Sequence, residues 1–167
     1  GGSSIGMSIV RTVEELREAV EKAFEQDEEV LVEEFVEGCE VTACVIGGRD
    51  VETLPLVEIV PPKREGGFFD YEAKYTPGAT QEICPARLER EVSERAGACA
   101  EVAHRVLFCE GWSRTDMIIR GDEIVVLETN TIPGMTKNSL FPLAARTAGM
   151  ALPALLDRLI SLSVQDV

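Results

Sequence analysis

Residues 127–140, LETNTIPGMTKNSL, end an apolar run with an acid and an amide two positions apart, turn at Pro133-Gly134, and continue through small polar residues. Side chains two apart on a strand share a face, so Glu128 and Asn130 leave the strand end together. The preceding run repeats the device. Arg114 and Asp116 are two apart in WSRTDMII, and the two runs flank Arg120-Gly121-Asp122, which predicts an antiparallel hairpin. The turn decides which faces meet. A three-residue loop, Gly121-Asp122-Glu123, sets Asp116 opposite Glu128, whereas a two-residue loop sets them on opposite faces. On one face, two carboxylates and an amide oxygen form a hard-oxygen set suited to Mg²⁺, whose remaining positions go to water and phosphate. A polar strand end facing solvent has the same spacing, so spacing alone leaves both readings open.

Outward from that hairpin, composition narrows the classes. The chain has 167 residues, 45% of them apolar, enough for one domain with a real core. A net charge of −14 argues against sequence-independent nucleic-acid binding, which needs Lys and Arg on phosphates, but a small nucleotide needs only local cations or a metal. No stretch has the roughly 18 uncharged apolar residues of a membrane span, and residues 1–20 lack the order of a signal peptide. The expectation is a cytoplasmic protein with no membrane partner. Five cysteines (Cys39, Cys44, Cys84, Cys99, Cys109), without a C-x-x-C pair, read as small buried apolar residues.

Along the chain, GGSSIGMS opens without a methionine, which predicts a start inside a domain. Thr12-Val-Glu-Glu15 is a capping box ahead of Val13, Leu16, Val20 and Phe24, predicting a helix over about 12–26. Between 29 and 60, the runs EVLVEEFVEG, CEVTACVIGG and VETLPLVEIV predict antiparallel strands. Residues 61–86 hold four prolines with Lys63, Arg64 and Lys74 among Phe68, Phe69, Tyr71 and Tyr75, and read as a long loop. Such a loop suits a lid over a polyphosphate, and equally a solvated surface segment. A helix follows over about 87–107, and SLFPLAARTAGMALPALLDRLISL reads as a helical C-terminal segment. GGSSIG is neither a Walker A motif nor G-x-G-x-x-G, so alone it carries little. His104, the only histidine, has no triad partners nearby in sequence and reads as structural.

GGSSIGMS, EEFVEGCE, DYEAKY with TQEICPA, GWSRTD and LETNTIPGMTKNSL, in this order, resemble the D-alanine:D-alanine ligases of the ATP-grasp superfamily, from Gly1 to about Leu162. The resemblance implies an α+β chain, the C-terminal part of an ATP-grasp fold, with a mixed or antiparallel sheet, flanking helices and a substrate-covering loop. Residues 1–36 would complete the central subdomain, and 37–167 would form the C-terminal subdomain with lid loop 61–86. The implied reaction joins two D-alanines through an acylphosphate at the expense of ATP, for peptidoglycan precursors. This chain alone is expected to be inactive, because the family's upstream phosphate-binding lysines and N-terminal substrate domain lie outside it.

By the same resemblance, two Mg²⁺ or Mn²⁺ ions would be held by Asp116, Glu128 and Asn130. ATP would contact Gly2, Ser4, Glu33, Phe35, Val36, Glu40, Phe68, Lys74 and Asn130, with Glu33, Phe35 and Val36 at the adenine, Glu40 on the ribose and Lys74 near the γ-phosphate. Arg114 and the Gly134 N–H match oxyanion stabilisers. Ser139 and the Leu140 N–H match the groups on the second substrate's carboxylate. Ser3 and Tyr75 match a pair that closes the lid. Gly1 stands where many members carry an acid, and Ser113 where Gly or Ala is common. The full-length protein is expected to be a homodimer. Other ATP-grasp carboxylate:amine ligases, D-Ala:D-Ser and D-Ala:D-Lac types included, and an inactive nucleotide-binding fragment are the competing readings.

Overall fold

The computed structural model describes residues 5–48, 50–61 and 80–165. The chain divides into two compact units, Gly1–Val36 with Pro61–Thr80, and Glu37–Val60 with Gln81–Val167.

In the first unit, α1 spans Val13–Phe24 and starts as the capping box predicts. Thr12 Oγ1 accepts from the Glu15 N–H at 3.4 Å, and the Glu15 carboxylate accepts from the Arg11 N–H at 2.8 Å, one residue before the expected return. The run 29–37, expected as a strand, forms none, and Leu31, Val32 and Phe35 are exposed. A strand exists only through a partner's ladder, and no described strand pairs with these residues.

The second unit is built on a six-stranded sheet: β1 (Cys39–Gly47), β2 (Val51–Thr53), β3 (Val57–Val60), β4 (Gln81–Ile83), β5 (Gly111–Arg120) and β6 (Glu123–Asn130). Its order is β4-β3-β1-β5-β6, with β2 also paired to β1, and every pairing is antiparallel. Part of the expected loop 61–86 is therefore strand: Gln81–Ile83 completes a ladder against Glu58–Val60. β1 is the central strand, buried from Val41 to Gly47, because both sheet faces are covered along it.

One face carries α2 (Arg90–Val106), whose Ala96 and Ala100 pack on Val41, Ala43, Val45, Met117 and Ile119. Small residues let the helix axis approach the sheet. Thr53 Oγ1 reaches the Gly97 carbonyl at 3.3 Å. The opposite face carries α3 (Leu140–Thr147) and α4 (Leu152–Gln165), which bury Phe141, Ala144, Ala145, Leu155 and Leu159 against Cys44, Ile46, Leu54 and Val57.

The C-terminal segment is helical as expected, and consists of two helices bent by 104°. Gly149, at φ +82°, ends the first, and the Ala148, Gly149 and Met150 N–H groups return to the Ala144, Arg146 and Ala145 carbonyls. No single helix among the described residues is long and apolar enough to cross a membrane.

His104 is fully buried and links α2 to the sheet. Its Nδ1 lies 2.8 Å from Ser113 Oγ and its Nε2 lies 3.2 Å from the Gly47 carbonyl. Burial pushes its pKa down, so the imidazole is neutral: Nε2–H donates to Gly47, and Nδ1 accepts from Ser113. All five cysteines are free. Only Cys44 is fully buried, and the other four are partly exposed.

Candidate active site

The β5–β6 hairpin closes with the two-residue turn Gly121-Asp122, since Arg120 pairs with Glu123. Gly121 takes φ +60°, the left-handed conformation that the first position of a II′ turn requires. By parity that turn should have put Asp116 and Glu128 on opposite faces. It does not, because the ladder contains a bulge. Met117 pairs with Val126, but Asp116 pairs with Glu128, so Leu127 is an extra residue. An inserted residue reverses the alternation of every side chain beyond it. Asp116 therefore stands opposite Glu128, and Arg114 opposite Asn130, on one face.

The β1–β5 register brings Thr42 and Cys44 to that face beside Asp116 and Arg114. Arg114 grips Asp116 with two bonds, Nε to Oδ1 at 2.9 Å and Nη2 to Oδ2 at 2.7 Å. The Thr42 hydroxyl donates to Asp116 Oδ1. Burial works against the Arg114 charge, but the hydrogen bonds and field of Asp116, together with the field of Glu128, outweigh it and hold the guanidinium above its ordinary pKa. A guanidinium has five N–H donors; among the described residues two are used, both on Asp116. Burial pushes the Cys44 thiol far up, so it is an uncharged neighbour. Glu128 is exposed on the edge strand.

Asn130 ends the strand. Its Oδ1 accepts from the Ile132 N–H at 2.9 Å, an Asx turn that starts the Pro133-Gly134 reversal. Beyond it, Ser139 Oγ accepts from the Thr136 N–H at 3.1 Å and shares a hydrogen bond with the Thr136 hydroxyl at 2.8 Å. A Cβ on Gly134 would sit 3.1 Å from Ser139 Oγ, so this approach favours glycine. Ser139 is the N-cap of α3, yet its side chain caps no α3 N–H. The Leu140 N–H thus begins a helix N-terminus of the kind that receives anions. Arg146 Nη1 holds the loop by the Lys137 carbonyl at 3.0 Å.

The sheet therefore brings Arg114, Asp116, Glu128 and Asn130 together, and the following loop brings Gly134, Ser139 and Leu140 together. Glu40 lies on β1 opposite Ile118, two residues from Thr42 and on the same face. Glu33, Phe35 and Val36 are in the irregular segment of the first unit. Gly1, Gly2, Ser3, Ser4, Phe68, Lys74 and Tyr75 lie outside the described residues.

Among the described residues, no three His, Cys, Asp or Glu side chains form a metal-holding group. The donor set at the hairpin is instead two carboxylates and an amide oxygen, a hard set that fits Mg²⁺ or Mn²⁺ with phosphate and water completing the shell. Sequence reasoning did not find Thr42 or Thr136. A single hydroxyl in the apolar run of β1 was the available signal for Thr42, but its partner is 74 residues away.

The family model of the D-ala D-ala ligase C-terminus matches residues 1–161. The chain belongs to the D-alanine:D-alanine ligase family. It is 53% identical over 165 residues to the D-alanine–D-alanine ligase of Syntrophobacter fumaroxidans, covering 99% of this chain and 53% of that protein. The ligase of Desulforamulus reducens is 46% identical, with 99% and 52% covered. Among solved structures, the Bacillus anthracis D-alanine–D-alanine ligase complexed with ATP matches with TM-score 0.78 at 35% identity, over 95% of this chain and 50% of that one. The VanG D-Ala:D-Ser ligase of Enterococcus faecalis matches with TM-score 0.81 at 38% identity, over 98% and 47%. The fold is thus the α+β C-terminal part of an ATP-grasp ligase, and the chain spans about half the length of the curated ligases it matches.

Proposed function

We propose that this chain is the catalytic C-terminal half of an ATP-dependent D-alanine:D-alanine ligase that makes the D-alanyl-D-alanine unit of peptidoglycan precursors in the cytoplasm, as a homodimer in its full-length form. The observation that carries the reading is the bulged hairpin, which turns Asp116, Glu128 and Asn130 to one face beside Arg114. The family membership and the ATP-bound relative support ATP as the nucleotide.

Asp116, Glu128 and Asn130 would hold two Mg²⁺ or Mn²⁺ ions, which supply charge neutralisation at the β- and γ-phosphates. Phosphorylation of the first D-alanine carboxylate, and attack by the second D-alanine's amine, both gather negative charge at one point. The Arg114 guanidinium and the Gly134 N–H would stabilise that charge. Ser139 and the Leu140 N–H would hold the second substrate's carboxylate at the α3 N-terminus. Glu40 would take the ribose hydroxyls, with Glu33, Phe35 and Val36 at the adenine. Gly2, Ser4, Phe68 and Lys74 would contact the nucleotide, while Ser3 and Tyr75 would close the lid.

The neutral phenol of Tyr75, with a reference pKa of about 10, would not favour a lactate carboxylate over an ammonium group, so D-alanine is the expected acceptor. The test is the full-length enzyme with ATP, Mg²⁺ and D-alanine, with D-serine and D-lactate offered in competition. Dipeptide formed with release of phosphate is expected, and Glu128→Gln should lower kcat about 10²–10³-fold with a smaller effect on KM. Unchanged turnover in Glu128→Gln, or D-lactate ester as the main product at neutral pH, would contradict the assignment.

A further inference from the structure

We infer that Thr42 is a positioning residue that fixes Asp116 as a one-oxygen metal ligand, leaving only Oδ2 open to a cation. The inference rests on the reading of Asp116 and Glu128 as metal ligands.

Thr42 lies in the central strand, 2% exposed, directly opposite Asp116 in the β1–β5 register. Its hydroxyl donates to Asp116 Oδ1, with the Thr115 carbonyl as a longer alternative acceptor at 3.4 Å. Arg114 Nε donates to that same Oδ1 at 2.9 Å, while Arg114 Nη2 takes one site on Oδ2 at 2.7 Å. A carboxylate oxygen offers two lone-pair directions. Both directions on Oδ1 are filled, and one on Oδ2 is open. The bonds come from two strands, Thr42 on β1 and Arg114 on β5 itself, so the carboxylate cannot rotate without breaking one of them.

The flanking chain explains why this hydroxyl acts on Asp116 and not on packing. Thr42 sits between Val41 and Ala43 in a strand whose buried neighbours are apolar, and valine has nearly the same shape. A buried hydroxyl is costly unless it is bonded, and here the bond is to a carboxylate, the stronger charge-assisted kind. Groups that orient a metal ligand commonly change metal affinity 10–100-fold when removed.

The experiment uses the full-length protein with a non-hydrolysable ATP analogue, and measures Mn²⁺ affinity from the free-Mn²⁺ EPR signal. The variants are Thr42→Val, which removes only the hydroxyl, Thr42→Ser, which restores it, and Glu128→Gln. Thr42→Val should weaken Mn²⁺ about tenfold or more, with Thr42→Ser close to wild type and Glu128→Gln weakened as well. Thr42→Val binding Mn²⁺ like wild type while Glu128→Gln is weakened overturns the positioning role and leaves the metal reading standing. Glu128→Gln binding like wild type overturns the metal reading, and this inference with it. Thr42→Ser as weak as Thr42→Val overturns the hydroxyl's role in favour of packing. A second measurement does not depend on any variant folding: in a Mn²⁺-loaded crystal of the wild type, Asp116 should ligate through Oδ2 alone, and bonding through Oδ1 overturns the inference.

Discussion

Deleting Leu127 should leave the hairpin's working face intact, although deletions inside strands usually scramble everything beyond them. Asp116 now pairs with Glu128 and Met117 with Val126, so Leu127 is the one residue of β6 without its own partner across the ladder. Removing it turns the bulge into a plain ladder and keeps Asp116 opposite Glu128 and Arg114 opposite Asn130. Leu127 is 45% exposed. Roughly half of the 1.5–3 kcal/mol for a fully buried leucine, about 1 kcal/mol, is therefore the burial at stake, and regular pairing offsets part of it.

Deleting Thr129 is the contrasting case. It leaves Glu128 in place but moves Asn130 to the level of Thr115, on the face under α2. The 3.0 Å Thr115–Thr129 hydroxyl bond is lost, about 1 kcal/mol, and an amide enters an apolar layer at a further cost of about 1–3 kcal/mol. Urea unfolding of the purified chain measures both, and ligase assays of the full-length protein show whether the site survives. The deletion of Leu127 should cost about 1 kcal/mol or less and keep measurable turnover, whereas that of Thr129 should cost about 2–4 kcal/mol and abolish turnover. Equal damage from the two deletions would refute the parity argument.

Phe141→Ala should lower stability by about 3–5 kcal/mol, because Phe141 is 1% exposed and is the largest fully buried side chain of the described residues; a loss under about 1.5 kcal/mol by urea denaturation would show that the sheet and α3 can close around the gap. Arg87 donates three hydrogen bonds to Glu58, from its N–H at 3.1 Å, Nε at 2.9 Å and Nη2 at 2.6 Å. These side-chain bonds, against the opposing effect of burial, hold the Glu58 carboxyl below its ordinary pKa. The folded value is depressed, so the stabilisation is complete above the unfolded Glu value of about 4.3 and is lost as pH falls through the folded one. Arg87→Met should accordingly be less stable than wild type at neutral pH, with the gap closing below about pH 4; a gap that stays constant into acid would contradict the pairing.

The hairpin shows what could be read in the sequence and what could not. Two-residue spacing places Arg114 with Asp116, and Glu128 with Asn130, because alternation is a local property of strands. The relation between the pairs is not local. It depends on a two-residue turn and a bulge at Leu127, whose composition does not differ from that of a regular strand residue. Thr42 was hidden for a related reason, since its bond to Asp116 crosses from another strand. The run 29–37 carries the short apolar, β-branched composition of a strand, but a partner must complete the ladder. The break between the C-terminal helices is marked in the sequence by Gly149, where a left-handed stop favours glycine, but the apolar periodicity resumes immediately afterwards and masks it.

The most direct measurement is anomalous scattering from Mn²⁺ in crystals of the full-length protein with an ATP analogue. Peaks for two ions should lie over the shared face of β5 and β6, with oxygens of Asp116, Glu128 and Asn130 at about 2.0–2.1 Å from one or both of them. Phosphate oxygens of the nucleotide should complete the shell. Density for bound nucleotide with no Mn²⁺ peak at the Asp116–Glu128 pair would contradict the account.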